Sequence, residues 1–183
     1  MQHALVIGGT GMLSKVSLWL ADNHYHVSVV ARDARKMERM ISKSTKGSNI
    51  TPVLVDYHHD REWKKSIQSL IEQRGPIDLV VAWIHSYAQD ALYSITQIVS
   101  KSNSEWKLYH ILGSSSDLSE VKRNIVIPEN CQYHQVQLGF IIENEGSRWL
   151  TNDEISSGII DAIRTDKCKI VVIGKTEPWN KRP

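Results

Sequence analysis

The run HILGSSSDLSEVKRN, residues 110–124, places three serines directly after an apolar stretch and a glycine. Hydroxyls at the end of a buried strand can hold a carbonyl in place, or they can close the strand as a polar loop. A second group lies near the N-terminus, where Gly8-Gly9-Thr10-Gly11-Met12-Leu13-Ser14-Lys15 follows a short apolar run. Glycines there permit positive φ and close ligand approach. The start of a helix offers free N–H groups and a positive dipole end to a phosphate. A third group is Arg32, which ends the run VSVVAR with Arg35 and Lys36 close behind. A fourth is His85-Ser86-Tyr87, after the apolar run 77–84, where His85 or Tyr87 could donate a proton.

The elements that position these groups follow from periodicity. Short apolar runs at 3–7, 27–31, 50–55, 77–84, 106–112, 133–142 and 169–173 read as strands. Helical spacing of apolar residues covers 12–23, 34–42, 60–73, 87–101 and 152–164. Gly75-Pro76 ends the helix at 60–73, because proline bars continuation. Strands apolar on both faces, alternating with helices, imply a parallel sheet covered on each side. The expected fold class is α/β, a doubly wound Rossmann-like sheet, with residues 1–183 forming one domain.

Two phosphate motifs compete for the glycine turn. A nucleoside triphosphate loop, G-x-x-x-x-G-K-[ST], finds its lysine at Lys15, but Ser14 stands for the second glycine and Val16 for the Mg²⁺-binding hydroxyl. The dinucleotide motif finds Gly9, Gly11 and then Ser14, a small residue where close helix packing is needed. The end of the second strand separates them. An acid there bonds the ribose of NAD, whereas an arginine accommodates the 2′-phosphate of NADP. Arg32 has the charge and planar fork for that phosphate, so NADP is the expected cofactor. Asp33, one position later, remains able to serve a ribose.

Bulk properties narrow the classes. The chain has 183 residues, 41% apolar and 23% charged, with net charge +2. So small a charge gives no reason to expect nucleic acid or a membrane surface as partner. Cys131 and Cys168 are far apart and suggest no disulfide framework. MQHALVIGGTG lacks the basic start and long apolar stretch of a signal peptide, and a cytoplasmic protein is expected. DYHHD, 56–60, has metal-ligand residue types, but adjacent histidines on a strand point apart, so no metal is assigned. Trp179 in the basic tail is read as covering the core or a second subunit, which leaves a homo-oligomer open.

The segments ALVIGGTGMLS, VSVVARDARKMERM, VLVDYHHD and IDLVVAWIHS resemble the cofactor half of the short-chain dehydrogenase/reductase superfamily, its extended and atypical branches above all. LYHILGSSS, YHQVQLGFI and WLTNDEISSGIIDAI carry the resemblance over nearly the whole chain. It implies a cofactor site of Gly8, Thr10, Gly11, Met12, Leu13 and Arg32, with Asp56 and Tyr57 flanking the adenine and Ala82 and Trp83 lining the groove. Gly139 and Phe140 would lie near the nicotinamide. It also implies a catalytic serine at the end of the fifth strand, by position Ser114 or Ser115, orienting a small-molecule substrate. The family's tyrosine and lysine, four apart on a helix, have no counterpart: DLSEVKRNIVIPEN holds no tyrosine, and Tyr133 has Gln137 four residues on. The resemblance therefore implies an NADP-dependent oxidoreductase that works without that pair, with His85 as a candidate donor. The alternative is an NADPH-binding sensor without turnover.

Overall fold

A computed structural model describes residues 1–85, 88–144 and 146–183. Its strands are β1 (Gln2–Ile7), β2 (Tyr25–Ala31), β3 (Ile50–Leu54), β4 (Leu79–Trp83), β5 (Trp106–Leu112), β6 (Cys131–Leu138), β7 (Phe140–Glu143), β8 (Gly146–Trp149) and β9 (Ile170–Ile173). Its α-helices are α1 (Ser14–Asp22), α2 (Ala34–Ile41), α3 (Asp60–Arg74), α4 (Gln89–Ser102), α5 (Leu118–Asn124) and α6 (Asn152–Thr165). Seven strands form one parallel sheet in the order β3-β2-β1-β4-β5-β6-β9. Strand order reverses between β1 and β4, the place where doubly wound sheets open a ligand crevice at their carboxyl ends.

The sheet is buried because its strands are apolar on both faces. Ala4, Val6, Val27, Val29 and Val81 pack with Val16 and Leu20 of α1, Met37 of α2 and Ile159 of α6. Their neighbours Leu5, Ile7, Val30, Val80 and Ala82 pack on the opposite face with Trp63 and Ile67 of α3 and Ile95 of α4. Helix α6 begins with a capping box, Thr151 and Glu154 satisfying each other's backbone N–H. Helix α5 is different: it has seven residues, none of them buried. No helix among the described residues is long and apolar enough to cross a membrane.

One expected strand is two. The apolar run 133–142 reads as continuous, yet β6 ends at Leu138 and Phe140 begins a hairpin of β7 with β8. Gly139 donates its N–H to Ile173, and Phe140 and Lys175 exchange two backbone hydrogen bonds of 2.8 Å. A Cβ on Gly139 would lie 2.1 Å from the Lys175 carbonyl oxygen. The glycine thus serves a close backbone crossing 36 residues away in the chain, which periodicity does not report. The expected start of α4 at Tyr87, and Tyr87 as a donor, lie outside the described residues.

Candidate functional site

The glycine turn leaves β1 with Gly8 at φ +81°, a conformation that favours glycine. Gly8 packs beside Trp83 at the end of β4. Gly9 supplies the close helix–strand contact, since a Cβ there would meet Val29 at 2.6 Å and Ser17 at 2.8 Å. That explains how Ser14 is tolerated at the motif's last position. Nothing lies within 4 Å of a Cβ built on Gly11, so the turn is open on that side. Among the described residues, the amides of 9–13 donate to no protein acceptor, while Gly11 accepts from Ser14 N–H. The turn therefore presents free N–H groups at the start of α1, suited to an anion. Leu13 is fully buried and offers only its backbone, and Met12 is partly buried.

Arg32 follows β2 directly, and its Nη1 lies 3.5 Å from Asp56 Oδ2. These two residues, 24 apart in sequence, are brought together beside the sheet's carboxyl edge by the pairing of β2 with β3. Asp56 accepts from the His58 amide and bonds the His58 ring at 2.6 Å, which with Arg32 nearby holds its pKa down at about 2. Asp33 caps α2 by accepting from Lys36 N–H. Lys36 and Arg39 of α2, with Lys43 just beyond it, line a cleft of about 320 Å³ together with Thr10, Ser14 and Lys15. Lys15 also pairs with Asp153 of α6 at 2.8 Å. The Tyr57 ring lies tilted against His58, centroids 4.7 Å apart, and packs edge-on to Trp63.

Ala82 is fully buried in the α3–α4 layer, so only its backbone can reach a groove. Trp83 is half-buried and meets His85 edge-on at 6.2 Å. Gly139 and Phe140 are committed to the crossing with Lys175, and Phe140 is buried against Trp149.

The three serines form a loop fastened from below. Gln137 of β6 donates through Nε2 to the carbonyls of Gly113, Ser114 and Ser116, and Gln135 donates to Leu118. Both glutamines are buried. Asp117 then caps α5, accepting from Ser119 and Glu120. Ser115 and Ser116 line a cavity of about 220 Å³ that also reaches Trp83, His85, Gln89 and Val121, whereas Ser114 is not among its lining residues. Ser115 and His85 are thus on one cavity.

The sequence reading missed His110. This β5 residue is 6% exposed, lines the same cavity, and bonds Tyr133 Oη through Nδ1 at 2.9 Å. Burial lowers its pKa to about 4, so the ring is neutral near pH 7. The available signal was the repeated dipeptide Tyr-His at 109–110 and 133–134, but pairing across strands needs the register of β5 on β6.

No family model and no curated protein matches the chain. Solved structures do. Glucose dehydrogenase of Caenorhabditis elegans in the apo form superposes with TM-score 0.76 at 12% identity, over 94% of this chain and 95% of that one. An alcohol dehydrogenase of the archaeon Thermococcus sibiricus, complexed with 5-hydroxy-NADP, gives 0.74 at 12% identity over 100% and 99%. A metagenomic short-chain oxidoreductase in complex with NADP gives 0.65 at 13% over 95% and 96%. The chain has the Rossmann-like α/β fold of the short-chain dehydrogenases and reductases, from β1 to β9.

Proposed function

We propose that the protein binds NADPH and is an oxidoreductase that reduces a small substrate without a tyrosine–lysine pair. The observation that carries the reading is Arg32, exposed at the end of β2 beside a glycine turn with unused amides. The residues fit the group: the amides of 9–13 suit a pyrophosphate, and Arg32 with Lys36 and Arg39 gives positive field for a 2′-phosphate. Two structures of this fold hold NADP or 5-hydroxy-NADP, which supports the same cofactor here. When bound, NADPH supplies a hydride. The chain's own part is to place the substrate at the serine loop, where Ser115 and His85 can hold its oxygen.

The test is thermal denaturation with NADPH, NADH and Mg-ATP. At a hundred times Kd, NADPH stabilises the native state by about 2.7 kcal/mol, and NADH and Mg-ATP act far less. Arg32→Ala lowers the NADPH-to-NADH affinity ratio; an unchanged ratio removes Arg32 as the determinant. A second reading, an NADPH-binding sensor, is favoured by one observation: α5 carries no tyrosine where the resemblance places a proton donor. NADPH binding without oxidation of NADPH across a panel of carbonyls and flavins supports the sensor.

A further inference from the structure

We propose that the cavity beneath the serine loop binds a small uncharged carbonyl compound, its oxygen accepting a hydrogen bond from His110 Nε2–H, with Tyr133 holding the imidazole in that tautomer. As a substrate site this rests on the oxidoreductase reading above; as a binding site it is tested by itself.

The His110 ring is enclosed by β4, α4 and α5, and it lines both the cavity under the serines and an adjoining one of about 200 Å³ toward Tyr93 and Val126. Among the described residues no buried polar side-chain atom lacks a partner. Nδ1 is taken by Tyr133, and among the described residues Nε2 has no hydrogen-bond partner. Nε2 is therefore the atom through which His110 meets the cavity. Burial keeps the Tyr133 phenol protonated, and its hydrogen directed at Nδ1 leaves the imidazole hydrogen on Nε2. A neutral imidazole N–H is a fixed donor that needs no counter-charge, a device suited to polarising a carbonyl.

The walls set the ligand class. No acidic or basic side chain other than histidine is among the described residues lining the serine cavity. Leu92, Leu112 and Val121 supply apolar surface, and Gln89, Ser115 and His85 supply polar groups at its edge. A carboxylate or phosphate would find no lysine or arginine among the described lining residues to offset its desolvation. At about 220 Å³ the cavity is below the ~300–1,000 Å³ usual for drug-sized ligands, so a single-ring ketone or aldehyde is the scale.

The experiment is a long-range ¹H–¹⁵N NMR spectrum of histidine-labelled protein at pH 7, titrated with acetophenone, benzoate and toluene. The expected result is a neutral His110 in the Nε2–H form, with a resonance that moves and saturates with acetophenone and stays in place with the other two. Tyr133→Phe is expected to weaken acetophenone roughly 3- to 10-fold, the loss of one hydrogen bond's worth of order, and an unchanged melting profile shows that the variant folds. A protonated ring, an Nδ1–H ring, no response to acetophenone, or an equal response to benzoate overturns the proposal. NADPH binding is followed separately by its fluorescence. Acetophenone binding without NADPH binding sinks the oxidoreductase reading and keeps the site, while the reverse sinks the site alone.

Discussion

Strands β5 and β6 carry the same dipeptide, Tyr109-His110 and Tyr133-His134, and the period of a strand sends one member of each to either face of the sheet. Under α6, Tyr109 stacks on His134 with ring centroids 4.4 Å apart. Every polar atom there is spoken for. His134 Nδ1 donates to the Cys168 carbonyl, its Nε2 faces Lys169 at 3.3 Å, and Tyr109 Oη donates to Asp166 at 2.8 Å. Asp166 also pairs with Lys107, and sits at φ +48° as the C-cap of α6. On the opposite face His110 and Tyr133 share one bond, α5 covers them thinly, and a cavity remains. The same two residue types make a closed structural joint on one side and an open donor on the other. What differs is the cover: fourteen residues of α6 against seven of α5.

The contrast predicts how the two faces respond to acid, and this is the largest effect. Burial lowers the pKa of both histidines, that of His110 to about 4. For a base with a lowered folded-state pKa, the unfolded chain takes up the proton first. Stability is therefore lost as pH falls from about 6.5 through the folded value. For His110 the shift corresponds to roughly 3 kcal/mol at about 1.36 kcal/mol per unit. Urea unfolding of wild type and His110→Gln at pH 7, 5.5 and 4 measures it: the variant's relative stability should rise by roughly that amount toward pH 4. Parallel pH profiles would mean that His110 is not buried in the neutral form. Asp166 works in the same direction at lower pH. Burial raises its pKa, but the hydrogen bonds from Lys107 and Tyr109 outweigh this and leave it lowered, so its contribution is present above about 4 and lost below.

At neutral pH the order of the two faces reverses. His134→Ala removes a ring that is 1% exposed, leaves the Cys168 carbonyl unpartnered and takes away the surface under Tyr109. The expected loss is about 3 kcal/mol, read as a melting point lower by roughly 6–12 °C for a chain of this size. His110→Ala removes a ring that already borders a void, so its loss should be less than half as large. Equal losses would mean that the cavity is filled or collapses, and would count against an open site.

Much of this was legible in the sequence and some was not, for a consistent reason. Strand and helix periods are local, so the alternating elements and the glycine turn could be read without a structure. Gly139 looked like part of a strand because its contact, Lys175, is distant in sequence. Ala82 was expected in the groove but faces the core, because register, not composition, decides which face a strand residue takes. Ser114 and Ser115 could be located as a loop but not ranked. Of these two, Ser115 lines the cavity and Ser114 does not, and the loop's position depends on Gln137, a β6 residue whose role follows from strand order. His110 was overlooked because a histidine inside an apolar strand reads as packing until its neighbour across the sheet is known.

The smallest expected effects separate the two tyrosines most cleanly. Tyr109→Phe and Tyr133→Phe each delete one hydroxyl and keep the ring. In Tyr109→Phe, Asp166 keeps Lys107 but loses the donor that helps hold its carboxylate in place, and the change should cost about 1–1.5 kcal/mol. In Tyr133→Phe, His110 Nδ1 loses its partner, and a water in the space the hydroxyl leaves can replace the bond, so the stability cost should be under about 0.5 kcal/mol. The consequence there should be chemical instead. With no phenol to fix the proton, His110 should populate both tautomers, while His134, held by Cys168 on the other face, stays Nδ1–H in both variants. One histidine spectrum of each variant checks all of this. A Tyr133→Phe protein whose His110 keeps a single Nε2–H form would show that something other than Tyr133 sets the donor. The two faces would then differ in their cover alone, and not in how each tyrosine is used.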